Sequence, residues 1–250
     1  MNLEIANKKS LIEERILKSC TKAGINRQNI NILAVSKTFS SEHVKNALEL
    51  GFTDFGENYV DEALEKINSL NEKIKGNNNN PLKTLNKPRW HFIGPIQSNK
   101  TKKIAENFDW VHSIENLKQI NRLAKQRPIE LDPLKVFIQV NLSNENSKRG
   151  ILENGLENLV NEILKHERLS FRGLMTIPEK TNKEKLLRER FSKLRNLMEL
   201  INKKIPNEKK INELSMGMSS DLEAAIMESN NKSYTWLRLG SAVFGSRKTS

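Results

Sequence analysis

This 250-residue chain has only one cysteine, Cys20, and one thiol cannot form a disulfide within the chain. That favours a protein of a reducing compartment. No apolar run approaches the ~18 residues that cross a bilayer, and the N-terminus carries Glu4 and lacks the apolar core of a secretory signal. We therefore expect a cytoplasmic protein without a membrane partner.

Blocks of like charge are also missing, although the formal net charge is +12. The basic residues are interspersed with acidic ones, and no basic stripe carries interleaved aromatic side chains. Nucleic-acid-binding modules often show such blocks and stripes. We therefore expect no nucleic-acid partner, and a basic nucleic-acid-binding protein is kept as a lesser alternative. The four histidines are dispersed, and no Cys–His or carboxylate spacing predicts a metal site.

What the chain does contain is an alternation of short apolar runs with amphipathic stretches, which is typical of repeated βα units. An apolar stripe predicts an opening helix over Leu3–Ala23. Eight strands are predicted after it, at 32–37, 54–58, 90–94, 110–114, 136–141, 171–176, 213–218 and 236–240. This number favours an α/β protein with a single (β/α)₈ TIM barrel and an extra N-terminal helix over an open doubly wound sheet.

We assign the whole chain, 1–250, to one domain. The stretch 76–87 is polar, rich in asparagine and low in complexity, so it is predicted to be a disordered surface loop. It precedes the third strand and is expected to lie away from the functional face of the barrel, because that face is built by the loops that follow the strands.

Polar residues collect where the predicted strands end. Lys37 ends an apolar strand, so its amine is expected at the mouth of the barrel, where partial burial disfavours a charged ammonium and suits imine formation. A lysine that simply reaches solvent is the other interpretation of this residue taken alone. The loops after strands seven and eight, 215–221 and 239–242, are rich in small and hydroxyl residues. Barrels often bind a phosphate at these two loops.

Five segments stand out together: AVSKT at 34–38, FGENYV at 55–60, HFIGPIQSNK at 91–100, LSMGMS at 214–219 and LRLGSAVFG at 237–245. In this order and spacing they resemble the pyridoxal phosphate homeostasis protein family, which is similar in fold to the N-terminal barrel of alanine racemase. The resemblance covers about 32–247. The asparagine-rich insertion at 77–80 departs from it without touching a proposed ligand.

The resemblance implies that Lys37 forms a Schiff base with pyridoxal 5′-phosphate (PLP). It implies that Arg238 faces the pyridine nitrogen and that Asn58 lies beside the ring. The phosphate would be bound by Ser215 and Ser219 with the backbone of Gly217, Gly240 and Ser241, and Met175 completes the predicted cofactor-binding set. A guanidinium keeps the facing pyridine nitrogen unprotonated, so the ring is a weaker electron sink than one paired with a carboxylate.

The predicted function is intracellular PLP homeostasis. The protein would buffer or deliver the cofactor, with effects on amino-acid and keto-acid balance and little or no catalytic turnover. Racemisation needs a second base, which racemases of this fold take from an added domain, whereas ten residues follow Gly240 here. We therefore assign no catalytic residue and expect a monomer, with PLP-dependent apo-enzymes as candidate partners. The alternative is a single-domain amino-acid racemase in which Lys37 is one base.

Overall fold

The strands form a closed parallel barrel in the computed structural model, which describes residues 3–75, 87–143 and 149–246. Each strand pairs with the next, and the last pairs with the first. The strands are β1 Ile30–Val35, β2 Asp54–Glu57, β3 Arg89–Phe92, β4 Trp110–Ile114, β5 Leu134–Gln139, β6 Leu169–Met175, β7 Glu213–Met218 and β8 Tyr234–Leu239. The predicted (β/α)₈ barrel is confirmed. Except for Lys87, the predicted loop 76–87 lies outside the described residues.

Helices surround the barrel, and one of them precedes the first strand, as predicted. They are α1 Leu3–Ala23, α2 Ser41–Glu49, α3 Val60–Lys75, α4 Thr101–Asn107, α5 Leu117–Gln126, α6 Glu153–Leu164, α7 Glu184–Asn202, α8 Leu222–Met227 and α9 Ser241–Phe244. The buried side of α1 carries Ile5, Ile12 and Ile16, and this helix packs against α8 and α9. The extra helix therefore lies behind the loops that follow β7 and β8.

Two apolar clusters fill the structure. The larger one joins the outer faces of the strands to the helices. The smaller one comprises Leu33, Trp110, Phe137, Met175 and Trp236, which lie on five strands of the barrel. Because side chains alternate between the faces of a strand, these five residues point into the barrel interior and pack there. The interior is therefore solid below the mouth, and a ligand of this barrel must bind at its rim.

Four strands that carry or precede predicted site residues, β1, β2, β6 and β8, end one or two residues earlier than the sequence predicted. β1 ends at Val35, so Lys37 lies in the turn that follows and does not close the strand. The N–H of Ser36 still donates to the carbonyl of Gly56 at 3.0 Å. Thr38, however, has a φ of 69°, a left-handed conformation that ends the extended run. The pattern of apolar residues did not reveal this turn.

Candidate cofactor-binding site

The predicted site residues lie at the C-terminal ends of β6, β7, β8, β1 and β2, which are consecutive around the barrel. The register pairs Ala34 with Leu239 across β1 and β8, and Val35 with Gly56 across β1 and β2. The turn that carries Lys37 therefore lies between the end of β8 and the end of β2. Closure of the barrel brings together residues from the beginning and the end of the chain.

A buried lysine, Lys66 on α3, holds the strand side of the turn that carries Lys37. Its Nζ donates to the carbonyl of Ser36 at 2.7 Å, to Glu57 Oε1 at 2.7 Å and to Glu62 Oε1 at 2.6 Å. Lys66 is 4% exposed, so three acceptors satisfy the three protons of an ammonium with almost no help from water. Sequence reasoning missed this residue.

Glu62 holds the other side of the same turn, because its Oε1 accepts the N–H of Thr38 at 2.5 Å. The backbone on both sides of Lys37 is thus fixed by one acid–lysine pair of α3. The signal that could have revealed the pair is a lysine on the apolar face of that helix, next to the buried residues Ala63 and Ile67. A charge on such a face needs a buried partner.

Glu57, the last residue of β2, is the buried acid beneath the turn. Burial raises the pKa of its carboxyl, and Lys66 and Ser36 oppose that rise. Its Oε1 accepts hydrogen bonds from Lys66 and from the hydroxyl of Ser36 at 2.6 Å. Its Oε2 has no hydrogen-bond partner within the described part of the chain. The carboxylate therefore supports the turn from one oxygen.

Asn58 follows β2 directly and is half-buried. Its backbone is held against Gly94, where an added Cβ would lie 2.1 Å from the carbonyl oxygen of Asn58. Only glycine fits at that position. Among the described residues, Asn58 Oδ1 is a buried oxygen with no hydrogen-bond partner. Buried polar atoms are almost always paired, so this oxygen marks a place where a ligand would complete the structure.

The loops after β7 and β8 are joined to each other. Ser219 Oγ accepts the N–H of Ala242 at 3.3 Å, and Arg15 of α1 donates to the carbonyl of Ser219 at 3.1 Å. Gly240 and the exposed Ser241 lie between β8 and α9. The two loops predicted to bind a phosphate are therefore neighbours, with hydroxyl and backbone N–H groups at the rim.

The local structure requires a glycine at position 217, independently of any ligand. Its φ is 86°, and an added Cβ would lie 2.6 Å from Ala225 and 2.7 Å from Leu237. The pairing of β7 with β8 shifts by a residue at this point, so that Ser215 faces Trp236 while Met218 faces Arg238. Glycine is therefore required for the bulge and for close packing of α8. Its predicted contact with a phosphate stays a prediction.

Arg238 lies under the rim, 5% exposed. Its Nη1 donates to Ser215 Oγ at 2.8 Å, and its Nη2 donates to the carbonyl of Thr176 at 2.8 Å. Burial lowers the pKa of the guanidinium to about 10, with Asp221 opposing the change, so Arg238 is charged at neutral pH. Met175 is fully buried in the interior cluster, which places it beneath the site.

These groups supply what PLP requires. The turn provides an amine, the two loops provide hydroxyl and N–H donors, Arg238 provides a buried cation, and Asn58 provides an unpartnered oxygen. Across residues 3–75, 87–143 and 149–246, no group of three His, Cys, Asp or Glu side chains is placed to hold a metal ion. Over the same ranges, no helix has the length and apolar character needed to cross a membrane.

Comparison with known proteins gives concordant results. The family model of the alanine racemase N-terminal domain matches residues 19–248. A Pseudomonas aeruginosa protein named pyridoxal phosphate homeostasis protein is 43% identical over 243 residues, which cover 97% of this chain and 96% of the relative. The Escherichia coli K12 protein of the same name is 38% identical over 245 residues, 98% of this chain and 97% of the relative.

Solved structures extend the likeness to the fold. The structure of PipY from Synechococcus elongatus with PLP bound superposes with a TM-score of 0.79 at 26% identity, covering 96% of this chain and all of the other. Alanine racemase from E. faecalis superposes with a TM-score of 0.61 at 15% identity, covering 94% of this chain and 57% of the other. At 15% identity, the similarity to alanine racemase concerns the fold alone.

Proposed function

The chain belongs to the pyridoxal phosphate homeostasis protein family, and from that membership we propose that it binds PLP as a Schiff base on Lys37. One observation carries the proposal. The turn with Lys37, the joined loops of Ser219 and Ser241, and the buried Arg238 occupy consecutive strand ends of one barrel. When bound, PLP supplies an aldehyde that condenses reversibly with an amine and a conjugated ring that accepts electrons.

Each group at the rim has a part in holding the cofactor. Lys37 presents its ε-amine from a turn that Lys66 and Glu62 fix on both sides. Ser219, with the backbone of Gly217, Gly240 and Ser241, would bind the phosphate. They lie on the loops after β7 and β8, which are joined by the hydrogen bond from the N–H of Ala242 to Ser219 Oγ.

The ring of a bound PLP would lie between Asn58 and Arg238. The side-chain amide of Asn58 would stand beside it, and Met175 belongs to the buried interior cluster. The guanidinium of Arg238 is held by Thr176 and Ser215, and it would donate toward the pyridine nitrogen. A permanent cation in that position keeps the nitrogen unprotonated and leaves the ring a weak electron sink.

The function that follows is storage and release of PLP in the cytoplasm, with little or no turnover of amino acids. Racemisation needs a base on each face of the substrate carbon. Tyr234 is the first residue of β8 and lies at the opposite end of the barrel, so it is not a second base. We propose a monomer that buffers PLP or passes it to PLP-dependent apo-enzymes, without nucleic-acid or membrane partners.

The test is the visible absorption of purified protein with added PLP, before and after borohydride. Wild type should show the band of a protonated imine, and reduction should fix the cofactor onto one peptide that contains Lys37, identified by mass spectrometry. Lys37→Ala should lack both the band and the modified peptide, because no other lysine is placed on that turn.

A matched control is Lys165→Ala, since Lys165 is an exposed lysine between the end of α6 and the start of β6, at the end of the barrel opposite the rim. It should keep the band. If wild type remains colourless with PLP, or if Lys37→Ala is labelled as well as wild type, the assignment of Lys37 is wrong. Product formed from single-enantiomer amino acids and abolished by Lys37→Ala would instead support the racemase alternative.

A further inference from the structure

A continuous row of hydrogen bonds crosses the barrel interior below Arg238. Ser215 Oγ lies 2.8 Å from Arg238 Nη1 and 2.8 Å from His112 Nδ1. His112 Nε2 lies 3.0 Å from His91 Nδ1, and His91 Nε2 lies 3.0 Å from Asp54 Oδ1. The five residues come from β8, β7, β4, β3 and β2. The row therefore connects the cofactor rim with the opposite end of the barrel.

Water does not interrupt this row, because Ser215, His112 and His91 are all 0% exposed. Aromatic rings surround the histidines: Trp110 stacks on His91 with centroids 5.2 Å apart, and Phe137 lies 4.4 Å from His112. Burial among such rings disfavours a charged imidazole and lowers the pKa of both histidines. Asp54 and Asp109 oppose the change at His91, while Arg89 adds to it.

The far end of the row fixes the direction of every hydrogen bond in it. The carboxylate of Asp54 only accepts, so the proton of a neutral His91 must lie on Nε2. The Nδ1 of His91 is then an acceptor, which requires the proton of His112 on its Nε2. The Nδ1 of His112 is an acceptor in turn. It takes the single proton of the Ser215 hydroxyl.

Ser215 is left with oxygen lone pairs alone, and one of them accepts the N–H of Arg238. We propose that Ser215 is a positioning residue for Arg238 and that His112, His91 and Asp54 hold its hydroxyl in the accepting direction. This role rests on the proposed function and replaces the phosphate contact that the family resemblance implied for Ser215. A phosphate oxygen needs a donor, and Ser215 has no proton left to donate, whereas the half-buried Ser219 keeps its hydroxyl at the rim.

The first test compares the two serines of this loop with two ligands, PLP and pyridoxal, which differ only in the phosphate. Ser219→Ala should weaken PLP binding by roughly tenfold and leave pyridoxal binding unchanged, because it removes a charge-assisted hydrogen bond. Ser215→Ala should weaken both ligands by the same factor and shift the visible band and its pH midpoint, because the guanidinium loses a fixed partner.

The result that overturns the proposal is a Ser215→Ala variant that behaves as Ser219→Ala does, with PLP affinity reduced, pyridoxal affinity kept and the band unmoved. Ser215 would then bind the phosphate. Unfolding curves of both variants establish that each is folded before binding is compared. If wild type shows no imine band with PLP that borohydride removes, the proposed function fails. The second test still determines the charge and the tautomer of the two histidines in the row.

The second test needs neither a variant nor a cofactor. Nitrogen-15 chemical shifts of the histidine rings in wild-type protein report both charge and tautomer. His112 and His91 should be neutral, with the proton on Nε2 of each ring, and should not titrate between about pH 5 and pH 8. A charged ring, or a proton on His112 Nδ1, would leave the Ser215 hydroxyl free to donate and would contradict the proposal.

Discussion

At the scale of single residues, Lys66 supports the candidate site although it lies on a helix and not in a loop of the rim. It is the cation for the fully buried Glu57 and also holds the carbonyl of Ser36. A buried ion pair adds little net stability when both partners are present, but removing one partner leaves an uncompensated charge. The turn that presents Lys37 therefore depends on the charge of Lys66.

Lys66→Met should lower the free energy of unfolding by about 3–5 kcal/mol at neutral pH, because the buried carboxyl of Glu57 loses its cation. A carboxyl whose pKa is raised in the folded chain destabilises the fold fully above that pKa, and the destabilisation fades as the pH falls from there to the ordinary pKa of the unfolded chain. Burial raises the pKa of Glu57, so the loss should shrink as the pH falls through the raised value. Urea unfolding at a series of pH values measures both effects.

The control for this substitution is Lys100→Met, which removes an exposed ion pair with Asp61. Pairs of that kind contribute under about 1 kcal/mol. A second control, the double variant with Glu57→Gln, should recover most of the loss because no charge remains buried. A loss for Lys66→Met that is the same at acidic and neutral pH would show that packing, and not charge, is responsible.

At the scale of elements, the sequence predicted the bounds of α1, β4 and β7, whereas β3, β5 and β8 begin one or two residues earlier than predicted. Among the residues missed at these starts, Arg89 and Lys135 are charged, and nothing beside them in sequence indicates a strand. Arg89 pairs with Asp54, and Lys135 lies 4.9 Å above the ring of Trp110. Only the closed barrel supplies these partners.

The candidate site likewise has parts that the sequence predicted and parts that only the folded structure reveals. Its glycine- and serine-rich loops lie within short segments, so their composition predicted them. The supports of those loops are contacts between residues far apart in sequence: Lys66 with Ser36, Arg15 with Ser219, and the buried row that ends at Asp54. One sequence does not reveal such pairings, because each residue by itself has an ordinary explanation.

The sequence predicts one domain that includes the extra helix α1, and α1 packs against α8 and α9. Ile16→Ala should lower the free energy of unfolding by about 2–5 kcal/mol, because Ile16 is fully buried. Leu17→Ala, at the exposed neighbouring position, should change it by less than about 0.5 kcal/mol. Fluorescence of the barrel tryptophans and helical circular dichroism should report one shifted transition. Two separate transitions for Ile16→Ala would show that α1 forms a unit apart from the barrel.

At the scale of the whole molecule, the barrel has a charged end opposite its mouth. Arg89 donates to both oxygens of Asp54, each at 2.6 Å, and His91 donates to one of them at 3.0 Å. Burial raises the pKa of Asp54, but the hydrogen bonds from His91 and Arg89 outweigh burial and hold the pKa well below its usual range. The ionised form of Asp54 is therefore stabilised in the folded protein.

A carboxyl with a depressed folded pKa stabilises the fold above its unfolded pKa, and that stabilisation disappears as the pH falls toward the folded value. Wild type should therefore lose stability below about pH 5, and Asp54 should account for roughly 2 kcal/mol of the loss. Asp54→Asn should be less stable at pH 7 and show a shallower decline on acidification. Glu130→Gln, at an exposed carboxyl, should follow wild type closely. Parallel curves for wild type and Asp54→Asn would refute this assignment.

The pairing of β8 with β1 also orders events in time. Lys37 follows the first strand of the barrel and Arg238 belongs to the last, so a chain emerging from the ribosome carries the amine long before it carries the guanidinium. Until β8 has been synthesised and inserted beside β1, the turn that carries Lys37 lacks its neighbour on one side. If Lys37 forms the proposed Schiff base, only a finished chain combines its amine with the guanidinium of Arg238 and the loops after β7 and β8.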